Sequence, residues 1–249
     1  SDGGGAAIYT AGYLTITDST FTGNTFARDA AAAYKDAVID VAKDGRVYVI
    51  GSTFYGNGSE TVSVEYDVYN RGATANAVTV INSLYEVGFD TKTVNNGSIA
   101  AVAGETIDTV AKTSGNQTYF LPSGSAEEGG LAVSFDGTTL TAGSSNYTLP
   151  SFLTDAQKTA LTAALADDQL GADRNIGPAE MPVYSIGAVN GTYTPPVEVT
   201  LDWSAVTGDY TYNGTDQTVI VKVLDGDGKE VDDLTVTLTY NDAAAMHNA

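Results

Sequence analysis

Hydrophobic and polar positions alternate with a period of two through much of the first 90 residues. The segment Leu14-Thr15-Ile16-Thr17-Asp18-Ser19-Thr20-Phe21-Thr22-Gly23-Asn24 returns as Val47-Tyr48-Val49-Ile50-Gly51-Ser52-Thr53-Phe54-Tyr55-Gly56-Asn57. It returns again, less faithfully, as Val78-Thr79-Val80-Ile81-Asn82-Ser83-Leu84-Tyr85. The copies stand 33 and 31 residues apart. A period of two predicts strands, because successive side chains point to opposite faces. The Asp, Gly or Asn followed by Ser predicts a bend, and a second short strand then carries the aromatic inward.

A further apolar alternation precedes each copy: Ala7-Ile8-Tyr9, Val38-Ile39-Asp40-Val41 and Tyr66-Asp67-Val68-Tyr69. Each period thus holds about three short strands. Strands that return to one register every turn predict a parallel β-helix, in which each coil buries one residue per column. Ile16, Val49 and Val80 are expected in one interior column, Phe21, Phe54 and Tyr85 in another, and Ser19, Ser52 and Ser83 in a ladder. One stretch competes with this reading. Residues 28–37 have high helix propensity and read either as a loop with at most one helical turn or as a longer helix to Ala42.

Gly4-Gly5-Ala6-Ala7-Ile8-Tyr9 followed by Leu14–Asn24 resembles the coils of right-handed β-helix repeats in bacterial surface proteins, of the pectate-lyase-like superfamily. The resemblance covers about residues 3–90. Residues 91–150 are less regular, and three to five more irregular coils would fit them. Thr154-Asp155-Ala156-Gln157 is a capping box opening a helix over about 152–166, expected to cap an open end of the solenoid. Downstream, Asp168-Gln169-Leu170-Gly171-Ala172-Asp173-Arg174 and Tyr184-Ser185-Ile186-Gly187-Ala188 resemble the choice-of-anchor Q segment that closes many bacterial surface β-helices. Its pattern is near D-Q-R-G-x-x-R and then D-I-G-A. Leu170 replaces the Arg and Ser185 the Asp.

The expected fold class is therefore all-β: a short right-handed parallel β-helix with a capping helix over residues 1–190, then a linker at 191–196. Residues 197–249 alternate and turn in the manner of a β-sandwich. Tyr212-Asn213-Gly214-Thr215-Asp216-Gln217, the Asp225–Lys229 turn and Leu238-Thr239-Tyr240-Asn241-Asp242 resemble the immunoglobulin-like modules of bacterial surface adhesins. That resemblance implies a last strand which this segment is expected to lack. With a first coil that has no capping element before it, both ends are expected to be covered by further protein.

Composition narrows the chemistry. Eleven basic against 31 acidic residues give a net charge of −20. That disfavours nucleic acid and anionic membrane surfaces, which both need Lys and Arg. The absence of cysteine removes disulfides, thiolate chemistry and Cys-ligated zinc. The one histidine is His247. No stretch approaches the roughly 20 apolar residues of a membrane helix. Polysaccharide lyases and hydrolases need carboxylates on adjacent coils beside a cation. Here Asp18 aligns with Gly51 and Asn82, so no carboxylate ladder forms. The basic residues Arg28, Lys35, Lys43, Arg46 and Arg71 read as solvated charge, and no catalytic residue is assigned. Asp225, Asp227, Asp232 and Asp233 are weak calcium candidates. The first two echo an EF-hand start, but Val236 stands where the bidentate Glu belongs. Asp167-Asp168 reads as a solvated turn, and no other cofactor is expected.

Together these features lead us to expect a non-catalytic structural or adhesion module of a bacterial cell-surface or secreted protein, and so an extracellular location. Its partners would be neighbouring domains, identical subunits, or glycans and cell surfaces. Two alternatives stay open: a self-assembling filament subunit that uses strand addition, and a polysaccharide-binding or lyase-like protein.

Overall fold

A computed structural model of the chain describes residues 5–25, 37–58, 64–72, 77–193, 200–202, 222–224 and 229–230. The chain divides into two compact units, Ser1–Tyr193 and Thr194–Ala249. The described residues are mostly β, with parallel sheets in the first unit.

The first unit opens with strands β1 (Gly5–Thr10), β2 (Tyr13–Thr17) and β3 (Thr20–Phe21). They recur as β4 (Ala37–Val41), β5 (Arg46–Ile50) and β6 (Thr53–Phe54), then as β7 (Tyr66–Asn70), β8 (Val78–Ile81) and β9 (Leu84–Tyr85). Each triplet contributes one strand to each of three sheets, ordered β1-β4-β7, β2-β5-β8 and β3-β6-β9. All these neighbours pair in parallel. The alternative of a helix continuing to Ala42 is overturned by β4. Its residues Val38, Ile39 and Val41 are β-branched and join the apolar core, a burial that outweighs local helix propensity.

The second sheet shows why the repeat has its period. Register places Ile16 beside Val49 and Val49 beside Val80, all buried. Phe21 and Phe54 are paired, and their rings stack 4.7 Å apart at 6°. Side chains of opposite parity in the second sheet point outward, among them Tyr48, Ile50 and Ile81, and these too are buried.

The turn residues that link the second sheet to the third form their own column. Asp18, Gly51, Asn82 and Gly97 have φ of 49°, 55°, 47° and 71°. Only Gly, Asn and Asp enter this left-handed region readily, which explains the residue choice. The serines that come next make a continuous ladder. Ser19 N–H donates to Ser52 Oγ at 3.4 Å, Ser52 N–H to Ser83 Oγ at 3.1 Å, and Ser83 N–H to Ser98 Oγ at 2.9 Å. Ser19, Ser52 and Ser83 each return their own hydroxyl hydrogen to the carbonyl two residues back.

Ser98 belongs to a fourth, shortened turn. It comprises β10 (Val94–Asn96) and β11 (Ile99–Ala100), which extend the second and third sheets. In the first sheet a single parallel bridge, Val68 to Phe89, stands where a strand would be. The parallel winding ends here, which corrects the expectation of three to five further coils in residues 91–150. Asn95 occupies the position after Val80 in the interior column. Its amide donates to Ser98 O and accepts from Ser98 N–H, both at 3.1 Å, so the apolar column closes on a polar residue.

The strands beyond β11 pair antiparallel. β12 (Lys112–Ser114) pairs with β13 (Gln117–Tyr119), and α1 is one turn at Ser125–Glu128. A three-stranded meander comes after it: β14 (Val133–Phe135), β15 (Thr139–Ala142) and β16 (Ser145–Thr148). Helix α2 spans Asp155–Ala164, and the Thr154–Gln157 capping box is formed. Contrary to the expectation of an end cap, α2 packs on a flank. Leu161 joins Phe135, Leu140, Leu149 and Leu153 over the outward Tyr48, Ile50 and Ile81. Ile107, Phe120, Ala126 and Ile186 likewise cover Leu84 of the third sheet. The physical reason is burial: the outer face of the second sheet is apolar, and α2 and the meander remove it from water.

In the second unit, β17 (Thr200–Asp202) pairs antiparallel with β18 (Lys222–Leu224). The turn at Asp225–Gly228 and the expected strands beyond residue 230 lie outside the described residues.

Phe54 has no exposed surface. Truncating Phe54→Ala is expected to cost about 3–5 kcal/mol through the cavity it leaves, read as a shift of the urea midpoint. A cost under about 1 kcal/mol would contradict the interior column.

Candidate functional site

The turn column between the second and third sheets is crossed by one arginine. Arg174 Nε donates to Asp18 Oδ1 at 3.0 Å, and Nη2 contacts the same oxygen. Nη2 also donates to the carbonyls of Gly51 and Ala188, each at 3.2 Å. A Cβ at residue 51 would stand 2.6 Å from Nη2, so glycine there serves both the left-handed turn and the passage of the guanidinium.

The segment carrying Arg174 is held by its own carboxylate. Asp168 Oδ1 accepts from the N–H groups of Leu170 and Ala172 at 2.8 and 2.9 Å, and Oδ2 accepts from Asn190 N–H at 2.9 Å. Asp168 is buried, so the expectation of a solvated turn is corrected for it, while Asp167 is exposed. Its backbone contacts also occupy both oxygens, which explains a carboxylate tolerated inside. Gln169 reaches the third sheet, where its Oε1 accepts from Thr20 Oγ1 at 2.6 Å. Ala188 N–H donates to Thr53 Oγ1 at 2.9 Å and Gly187 N–H to Asn82 O at 2.8 Å. The residues of the D-Q-x-G-x-x-R and S-I-G-A patterns therefore meet at one corner. Ser185, standing where the pattern has Asp, donates to Glu127 O at 2.6 Å and accepts from Gly191 N–H at 2.7 Å.

Burial pushes Asp18 up to about 6, with the Arg174 charge pulling against it. A carboxyl near 6 beside an arginine has the makings of an acid–base pair. The space directly at Asp18 is small. The cavity lined by Asp18, Asn82, Arg174, Tyr184 and Ser185 measures about 30 Å³, a volume of the order of one water.

Two further acids are buried in the first sheet. Asp67 Oδ2 accepts from Val87 and Gly88 N–H at 2.7 and 2.8 Å, and burial pushes this carboxyl up to about 6. Asp40 is buried and bonded by both Nε and Nη2 of Arg71. Arg71 is thus not the solvated charge the sequence suggested. Its guanidinium lies 5.8 Å from the ring centroid of Tyr9. Asp40 is paired with Tyr69 in register, two positions from Arg71, a separation visible in the sequence only once the third turn is aligned.

The four calcium candidates Asp225, Asp227, Asp232 and Asp233 lie outside the described residues. Among the described residues no group of three or more His, Cys, Asp or Glu stands together to hold a metal ion. No family model, curated protein or solved structure matches the chain.

Replacing Arg174→Met leaves Asp18 buried without its partner. At pH 7.5 this is expected to cost about 3–5 kcal/mol in urea denaturation, and less at pH 4.5, where Asp18 is neutral. An equal cost at both pH values would contradict the pair.

Asp67 gives a second pH signature. Its folded pKa is near 6 and its ordinary value is 3.8. Its contribution to stability is therefore whole below about 3.8 and lost as pH rises through about 6. The wild-type urea midpoint should fall between pH 4.5 and 7, and Asp67→Asn should flatten that fall. A variant with the wild-type slope would contradict the assignment.

Proposed function

We propose that the chain is a non-catalytic structural module of a bacterial cell-surface or secreted protein, used to extend or present within an adhesive assembly. In this reading residues 5–100 are a short right-handed parallel β-helix, residues 101–190 clad its flanks, and residues 197–249 are an immunoglobulin-like sandwich. One observation carries the reading. Polar groups along the turn column are engaged in holding turns together: Ser19, Ser52 and Ser83 bond the neighbouring turn, and Arg174 Nε and Nη2 bond Asp18 and the Gly51 carbonyl. Partners in this reading are neighbouring domains of a longer protein, with glycans or cell surfaces as what it meets.

A second reading, a filament subunit that adds strands between copies, is favoured by the edges. β1, β2 and β3 stand at the ends of their sheets, with Ile8, Leu14 and Phe21 only partly buried.

The test of location is antibody labelling of intact bacteria that express the gene. Labelling removed by external protease is expected, and labelling that requires lysis would overturn the reading. For the filament, light scattering across a concentration series would rise at a threshold. Release of sugar fragments from a panel of acidic polysaccharides would replace both readings with an enzyme.

A further inference from the structure

The edge of β2 is bordered by a groove whose geometry is informative. A cavity of about 340 Å³ touches Tyr13, Thr15 and Thr17 of β2 and also Leu14. Successive residues of a strand point to opposite faces, so a cavity that touches both parities lies over the strand's edge. Its opposite wall is helix α2, through Gln157, Ala160 and Ala164. The two walls match in length. Ten helical residues span about 15 Å, and five strand residues about 17 Å. Alanines at 160 and 164 keep the space between them open.

The backbone of β2 faces this groove with unused groups. Arg46 N–H donates to Gly12 O, and Asp18 N–H donates to Ile50 O. In a parallel ladder, these two bonds set the phase: Leu14 and Ile16 bond to β5, while Tyr13, Thr15 and Thr17 direct their N–H groups to the other edge, as Tyr13 and Thr15 do their carbonyls; Thr17 O is already taken by Ser19 Oγ. Among the described residues no strand pairs with that edge. The serine ladder shows the same polarity. Each serine amide donates to the hydroxyl of the next turn, so Ser19 Oγ is the acceptor at the open end.

We propose that this groove binds an extended, uncharged segment of another polypeptide, lying parallel to β2 and walled by α2. Strand addition supplies the main-chain bonds, and alternate side chains fill the apolar pockets at Leu14, Leu153 and Leu161. The described lining carries no charged residue, although the chain has a net charge of −20. That contrast selects a neutral segment. It also weighs against the filament reading above, in which the occupant would be a second copy of the chain, since two bodies of that charge repel. Parallel direction comes from the ladder, because only a parallel strand places a turn amide over Ser19 Oγ. The proposal stands apart from the cellular role proposed above, since it concerns binding by the isolated chain.

The probe is an acetylated, amidated and fluorescently labelled peptide with the sequence of residues 47–57, a neutral strand of the kind that already lies beside β2. Titrated into the full chain, it is expected to raise anisotropy saturably and to slow amide exchange at Tyr13, Thr15 and Thr17. Ala160→Arg, at an exposed position, should weaken binding about tenfold or more with an unchanged melting temperature. Should that variant unfold, Ala164→Arg, one turn later on the same wall, gives the same reading. No saturable binding up to about 1 mM would overturn the proposal. So would binding that leaves the three amides unprotected, binding indifferent to the helix variants, or self-association of the chain that excludes the peptide.

Discussion

At the turn between the second and third sheets the backbone enters the left-handed region once per winding, at Asp18, Gly51, Asn82 and Gly97. This local constraint sets much of the first unit. It changes the chain's direction sharply enough that a five-residue strand is followed at once by a two-residue strand in another sheet. It places serine next each time, and at Ser19, Ser52 and Ser83 the hydroxyl bonds the backbone of its own turn and the amide bonds the neighbouring one. Repetition then makes the turns additive: each new winding finds donors, acceptors and an apolar column in the positions it needs.

The same repetition creates a cost. Short strands with apolar residues on both parities cannot hide their outer faces within the winding. The chain meets this with residues 101–190, which return over the second and third sheets as hairpin, meander, helix and loop. Arg174 fastens that return. It lies 156 residues from Asp18, and its guanidinium bonds a carboxylate and two carbonyls at the left-handed column.

Electrostatics runs through the same positions. The chain has a net charge of −20, and among the described residues most acids are exposed or half-buried. The buried ones are each tied to a specific donor set: Asp40 to Arg71, Asp67 to two loop amides, Asp90 to the amides of Asn70 and Lys92 and the Thr93 hydroxyl, and Asp168 to three amides, while the half-buried Asp18 is tied to Arg174. Their burial favours the neutral form at Asp18 and Asp67, and the bonds favour the charged one. These acids hold loops and corners, and the cavity beside Asp18 is too small for a sugar ring.

The sequence by itself determined the strands of the first three windings, the interior columns through Ile16, Val49 and Val80, and the serine ladder. Period-two alternation and a left-handed turn residue act within a few neighbouring residues, so their consequences are written locally. The capping box of α2 was legible for the same reason. Only the tertiary structure decided where the winding stops, which flank α2 covers, and that Arg174 and Arg71 are paired with buried acids. The fourth winding was hidden because its interior position is Asn95 and its aromatic position is Ala100, residues that carry no apolar signal. Partners such as Asp18 and Arg174 are chosen by the shape of surfaces that exist only once the sheets have formed. That shape depends on packing between distant segments, and no periodicity along the chain encodes it.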